Sequence, residues 1–474
     1  MKKRFVFLLG CLIAGMVLTM TACGNSVPEE NRAVYDISVR VEGEQLVCEQ
    51  TTTYTNAVAD KLDSVVFAVY PCAYTEGAAD KAYVGELPDY ATVTFDKIES
   101  NGVETEPTFE GAYMTLPIDL ARGESATFSF RYTLGLPTCA LRFGLMDGYY
   151  NLSGFYPQIA VYGEDGFRTD RFSTVGDPIL SDPSDFTIRL DIPDVLVAAT
   201  PFTFATAPGE EGRKILTATE KNVRDFAVVL KEGYKEYLSD ADGIAVRYYS
   251  LSDDAQARCD LAADAIKTFA KAFGGYPYNS YTVAETTFDA DGMEFSGMAY
   301  VAANASDFTR AIIHETAHQW WYNIVGSDNI FDAYLDEGLT AFVTEYYALL
   351  DGREEDFEQG MSEIRRSYAR YERMQKMRKD ASSLDMTRPI YEYTEYRYVM
   401  LVYDKAALMF DALYRLGGRE KFNKALSIYY RDNYFGRANK DDLIAAFNAG
   451  FGADVTGLIE GFLSDGAVVT TFAS

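Results

Sequence analysis

The 474-residue chain contains two histidines. They fall four positions apart, in the run Ala311-Ile312-Ile313-His314-Glu315-Thr316-Ala317-His318-Gln319-Trp320. Side chains four apart on a helix project from one face, one above the other. Two imidazoles in that geometry can share one tetrahedral zinc ion. Glu315 lies one position round from His314, so its carboxylate can reach a metal-bound water without ligating the metal. The third ligand is Glu337, in Asp332-Ala333-Tyr334-Leu335-Asp336-Glu337-Gly338, 19 positions after His318. Two imidazoles and one carboxylate fill three corners of a tetrahedron and leave the fourth for water, the arrangement of a catalytic zinc site. The donor set suits zinc over magnesium or calcium and leaves manganese and iron open, with one ion per chain.

These side chains require two antiparallel helices. Ser306 is the expected N-cap of the first, with Asp307 in its first turn. Gly326 stops that helix, and a short loop returns the chain as a second helix bearing Glu337. Upstream, Ala255 to Phe273 places Leu261, Ala265, Phe269 and Phe273 on one helical face before Gly274-Gly275. Segments 281–288 and 297–302 read as strands. Segment 353–380 carries dense charge of both signs and reads as a solvated helix.

The first half has another rhythm. Tyr35, Ile37, Val39 and Val41 alternate with polar residues, as do Phe186, Ile188 and Leu190, the period of a half-buried strand. Asn101-Gly102 is a hairpin signal. The expected architecture is an all-β, sandwich-like domain over 34–241, followed by an α+β, mostly helical domain over 242–474.

The chain begins Met1-Lys2-Lys3-Arg4, continues with an apolar run from Phe5 to Met20, then reads Thr21-Ala22-Cys23-Gly24. A charged start, a short apolar core and small residues before a cut form a secretory signal over 1–22. Cys23 after Ala22 resembles a lipobox, although Met20 stands where Leu is usual. Lipidation at Cys23 and a tether over 23–33 would hold the protein on the extracytoplasmic face of a membrane; a plain secretory signal would release it. Formal net charge is −28, which excludes nucleic acid as a partner, because phosphates need Lys and Arg to neutralise them. Cys48, Cys72, Cys139 and Cys259 fit no metal spacing and leave disulfides and buried thiols both open. The sequence specifies no oligomeric state.

His314-Glu315-Thr316-Ala317-His318-Gln319-Trp320 and Leu335-Asp336-Glu337-Gly338 together resemble the core signature of the aminopeptidase N family of zinc metallopeptidases, the gluzincins that include the leukotriene hydrolase-aminopeptidases. The resemblance implies an N-terminal β domain on a thermolysin-like catalytic domain, and peptide substrates. It also implies three further roles. Gly292-Met293-Glu294-Phe295 is similar to the family's Gly-x-Met-Glu-Asn edge strand, with Phe295 in place of Asn. Glu294 would bind the substrate's free α-amine, and Gly292 and Met293 would line the substrate. Val402-Tyr403-Asp404-Lys405-Ala406 resembles the family's Val-Tyr-x-Lys-Gly helix, with Ala406 for Gly. Tyr403 would stabilise the oxyanion, in preference to Tyr391, Tyr393, Tyr396 and Tyr398. Phe155-Tyr156-Pro157-Gln158 is similar to an aromatic-Pro segment at the domain junction, and Gln158 would touch the amine. Full-length relatives continue into a large helical domain, so an open cleft is expected here.

The function implied is removal of N-terminal residues from peptides. Two other readings compete: an endopeptidase on the same scaffold, and a non-catalytic, peptide-binding lipoprotein. The second should have lost at least one of His314, Glu315, His318 and Glu337, and all four are present.

Overall fold

A computed structural model of the chain describes residues 28–378 and 384–464. The signal segment 1–22 and residues 23–27 of the tether, Cys23 among them, lie outside the described residues. No helix among those described is long and apolar enough to cross a membrane.

The N-terminal half is built from sheets. The largest has eight strands, with Val34–Glu42 central between Ser184–Pro193 and Gln45–Thr55. Tyr35, Ile37, Val39 and Val41 are buried along its inner face, as their alternation requires. Two four-stranded sheets and a two-stranded one, Tyr162–Gly163 with Gly166–Phe167, complete this β unit. The Asn101-Gly102 turn has both residues at positive φ, 51° and 75°, and joins Thr92–Ser100 to Val103–Glu104.

The second half holds a five-stranded mixed sheet and the helices. Its first strand, Lys235–Ala241, pairs antiparallel with Ile244–Ser250. The sheet therefore begins upstream of the boundary expected at 241. Asp242 and Gly243 sit at φ 55° and 94°; two residues of positive φ make a tight hairpin, so the strand before this turn must pair with the strand after it. Ser280–Thr286 is buried along its whole length. Gly292–Phe295 forms the sheet's edge, paired within the sheet with Met298–Ala302 alone.

Helix α1, Gln256–Ala272, packs through Ala262, Ala265, Ile266 and Phe269. Helix α2 is Phe308–Ala317, α3 is Glu337–Leu350 and α4 is Glu354–Arg378. The cap of α2 falls one residue later than expected: Asp307 accepts from the Arg310 amide. Ser306 instead bonds Asp291. Helix α4 is charged but not fully solvated, since Phe357, Met361, Ile364, Tyr368 and Tyr371 are buried. The four cysteines of the described residues are all free. Burial pushes the thiols of Cys48, Cys139 and Cys259 up to about 12.

Candidate active site

Helix α2 carries His314 and ends at His318, its C-cap. The chain then makes a wider, π-type turn over Gln319–Ile324 with Trp321 non-helical. Such turns often mark functional sites. A loop and the short 3-10 turn Ala333–Leu335 lead to α3, whose first residue is Glu337.

The three side chains converge. The two Nε2 atoms are 3.2 Å apart, and Glu337 Oε2 lies 3.4 Å from that of His314 and 3.2 Å from that of His318. A tetrahedral ion with ligands at about 2.0–2.1 Å holds them roughly 3.3 Å apart. The triangle is therefore the right size for one zinc ion.

The partners behind the rings fix the tautomers. The Thr344 hydroxyl donates to the Thr340 carbonyl, so it accepts from His314 Nδ1, 3.1 Å away. His318 Nδ1 lies 2.7 Å from the Asp336 carboxylate, which when ionised can only accept. His314 thus carries its proton on Nδ1 and aims an Nε2 lone pair at the point that His318 Nε2 also faces. Burial opposes a charge on His318, but Glu294 and Asp336 outweigh it and raise this ring well above its usual value, so a metal would displace its Nε2 proton. Burial holds His314 down to about 4, in the neutral form a ligand needs. At Glu337 burial would raise the carboxyl, but the two imidazoles outweigh it and hold it below the usual range.

Two more carboxylates face the triad. Ligating atoms of Glu294, Glu315 and His318 lie within 4.8 Å of one another. Glu294 Oε1 and Glu315 Oε2 are buried without a hydrogen-bond partner. Burial pushes Glu315 up to about 8 and Glu294 well above the carboxylate range. A buried carboxyl with no partner costs free energy unless a proton or a cation joins it. Glu294 is thus open to a cationic ligand, and Glu315 is placed to exchange a proton.

Gly292 makes that crowding possible. A Cβ on it would lie 2.4 Å from Glu315 Oε1. Strand alternation puts Gly292 and Glu294 on the cleft side. Met293 is not brought there: it points the other way, into an apolar cluster with Tyr149, Phe288 and Tyr300.

Tyr403 lies in a second π-type segment, Val399–Lys405. Its ring stacks on His314, with centroids 6.0 Å apart and planes at 14°. Burial and the Glu337 carboxylate raise its hydroxyl well above the usual value. The other tyrosines are placed elsewhere or behind it: Tyr391 lies under Arg171, Tyr393 bonds the Asp385 carbonyl, Tyr396 packs on Tyr371, and Tyr398 contacts the edge of Tyr403.

Gln158 does not join the cluster. Its strand, Gln158–Ile159, pairs with Phe67 and Ala68, and it lines a small cavity of the β unit with Tyr35, Tyr54 and Ser184. The pairing with Lys61–Ala68 fixes the segment inside the β unit. Thr344, Thr340 and Asp336 were not singled out from sequence. Only Asp336, adjacent to a ligand, carried a signal.

A β unit with a helical unit that presents two imidazoles and a carboxylate to one point defines a two-part metallopeptidase-like architecture. Residues 258–462 match the peptidase family M1 domain. The chain is 24% identical to aminopeptidase 2 of Candida albicans over 415 residues, 80% of this chain and 44% of that one. It is 25% identical to aminopeptidase M1 of Arabidopsis thaliana over 301 residues, 58% of this chain and 33% of that one. The chain thus spans less than half the length of these curated relatives. Among solved structures it resembles the M1 zinc metallopeptidase of Deinococcus radiodurans, with a TM-score of 0.68 and 18% identity over 96% of this chain and 98% of that one. A two-domain M1 zinc metallopeptidase mutant bound to L-arginine is similar at a TM-score of 0.66 and 18% identity, over 94% of this chain and 98% of that one.

Proposed function

We propose that this protein is a zinc-dependent metallopeptidase of the aminopeptidase type. One observation carries the reading: the His314, His318 and Glu337 ligand atoms form a triangle with sides of 3.2 to 3.4 Å, the span of three corners of a zinc tetrahedron. The names of the similar proteins, zinc metallopeptidases and aminopeptidases, support it.

His314, His318 and Glu337 hold the ion, which when bound polarises the scissile carbonyl and acidifies a water. Glu315 accepts the proton of the attacking water and passes it to the leaving amine. Tyr403 donates its hydroxyl to the oxyanion from the His314 side of the cleft. Glu294, whose Oε1 is buried without a hydrogen-bond partner, takes the substrate's α-ammonium and sets which bond lies over the metal. Lipidation at Cys23 after removal of 1–22 places this activity on the outer face of the membrane; labelling with a fatty-acid analogue should succeed on the native chain and fail on Cys23→Ser.

The test of the activity compares aminoacyl amides with their N-acetylated forms on zinc-loaded protein. Cleavage of the free-amine compounds alone is expected. Cleavage of both would overturn the aminopeptidase part in favour of an endopeptidase. Cleavage of neither, with zinc bound, would overturn the enzyme.

A further inference from the structure

The edge strand with Glu294 turns into its neighbour through Phe295, Ser296 and Gly297. This turn is held from two sides. From the metal side, Gln319 donates to the Phe295 carbonyl and accepts from the Gly297 amide, each at 2.9 Å. From the β unit comes the connection between strands Arg213–Val223 and Ala227–Glu232, which carries Arg224 and Asp225.

Asp225 is buried. One carboxylate oxygen accepts from the Ser296 amide at 2.7 Å, and the other from the Tyr322 hydroxyl, four residues beyond His318. The Ser296 hydroxyl accepts from the Arg224 amide and donates to Asn323. Arg224 is also buried, and its guanidinium donates to the Asn323, Ser181 and Gly436 carbonyls. Gly326 leaves room for it, since a Cβ there would lie 2.4 Å from Cζ. One carboxylate therefore bridges the strand end beside Glu294 and the turn that leaves His318. Buried networks of this kind fix geometry because any displacement leaves polar groups unpaired.

We infer that Asp225 is a positioning residue for amine recognition: through Ser296 and Tyr322 it sets the distance between Glu294 and the metal-bearing helix. The inference rests on the aminopeptidase reading. It makes the β unit a determinant of where the substrate's first residue sits, although no ligand to the metal comes from it.

The experiment is a double-mutant cycle on zinc-loaded protein. Asp225→Asn should raise KM for aminoacyl amides about tenfold, with kcat changed less than about threefold. Zinc content, and inhibition by acetohydroxamate, which has no amine, should be unchanged. In a Glu294→Gln background Asp225→Asn should add nothing further to KM, because coupled residues are non-additive. If Asp225→Asn does not fold, Tyr322→Phe removes one bond of the bridge and should show the same pattern at about threefold. Equal loss in both backgrounds, or a fall in kcat and hydroxamate inhibition alongside KM, would overturn the inference and leave Asp225 with a purely structural role. Wild-type protein that cleaves free and acetylated substrates alike would instead sink the aminopeptidase reading beneath it.

Discussion

His314, His318 and Glu337 come from two helices joined by one loop, whereas Glu294 depends on contacts that draw residues 224–225, 296 and 322–323 together. The metal end of the cleft is thus largely local in the chain. Its ligands are oriented by neighbours on the same two helices and at the start of the second: Thr340, Thr344 and Asp336. The amine end is assembled from separate segments across the junction of the two units. A local site can be read from spacing and tolerates changes in distant scaffold. A composite one depends on the packing of both units.

The largest expected effect separates the ends. His318→Ala, or chelation, should lower zinc from one ion per chain to near zero and abolish turnover; metal analysis beside the assay checks this. Near-normal turnover without zinc would break the metal end of the comparison. Glu315→Gln should keep the zinc and lower kcat by about 10²- to 10⁴-fold, the contribution of a general base. Gly292→Ala probes the place where the two ends touch. Its methyl group would displace the Glu315 carboxylate, so kcat should fall by up to about 10²-fold, as sub-ångström to ångström misplacement does, with zinc retained. Glu294→Gln should have the smallest effect, raising KM for free-amine substrates by about tenfold. If Glu294→Gln instead lowered zinc content, the two ends would not be separable.

The metal triad was legible because helical periodicity converts sequence spacing into direction: positions i and i+4 must share a face. The strands and their alternation were legible for the same reason. The strand Lys235–Ala241, before the boundary expected at 241, joins the second half's sheet because Asp242-Gly243 makes a hairpin turn, which only pairing distinguishes from a linker. Met293 and Gln158 show another limit of pattern. Met293 sits in the expected motif, but strand alternation beside Glu294 sends it into the apolar cluster. Gln158 follows an aromatic-Pro segment, yet long-range pairing with Ala68 takes it elsewhere. Asp225 gave no signal, since its partners lie some seventy or more positions away.

Diffraction at the zinc edge from Glu315→Gln crystals soaked with a short peptide tests the central claim most directly. The account predicts one anomalous peak about 2 Å from His314 Nε2, His318 Nε2 and the Glu337 carboxylate, with the peptide's terminal amine in hydrogen-bonding reach of Glu294. A peak away from these three atoms, or an amine bound away from Glu294, would contradict it.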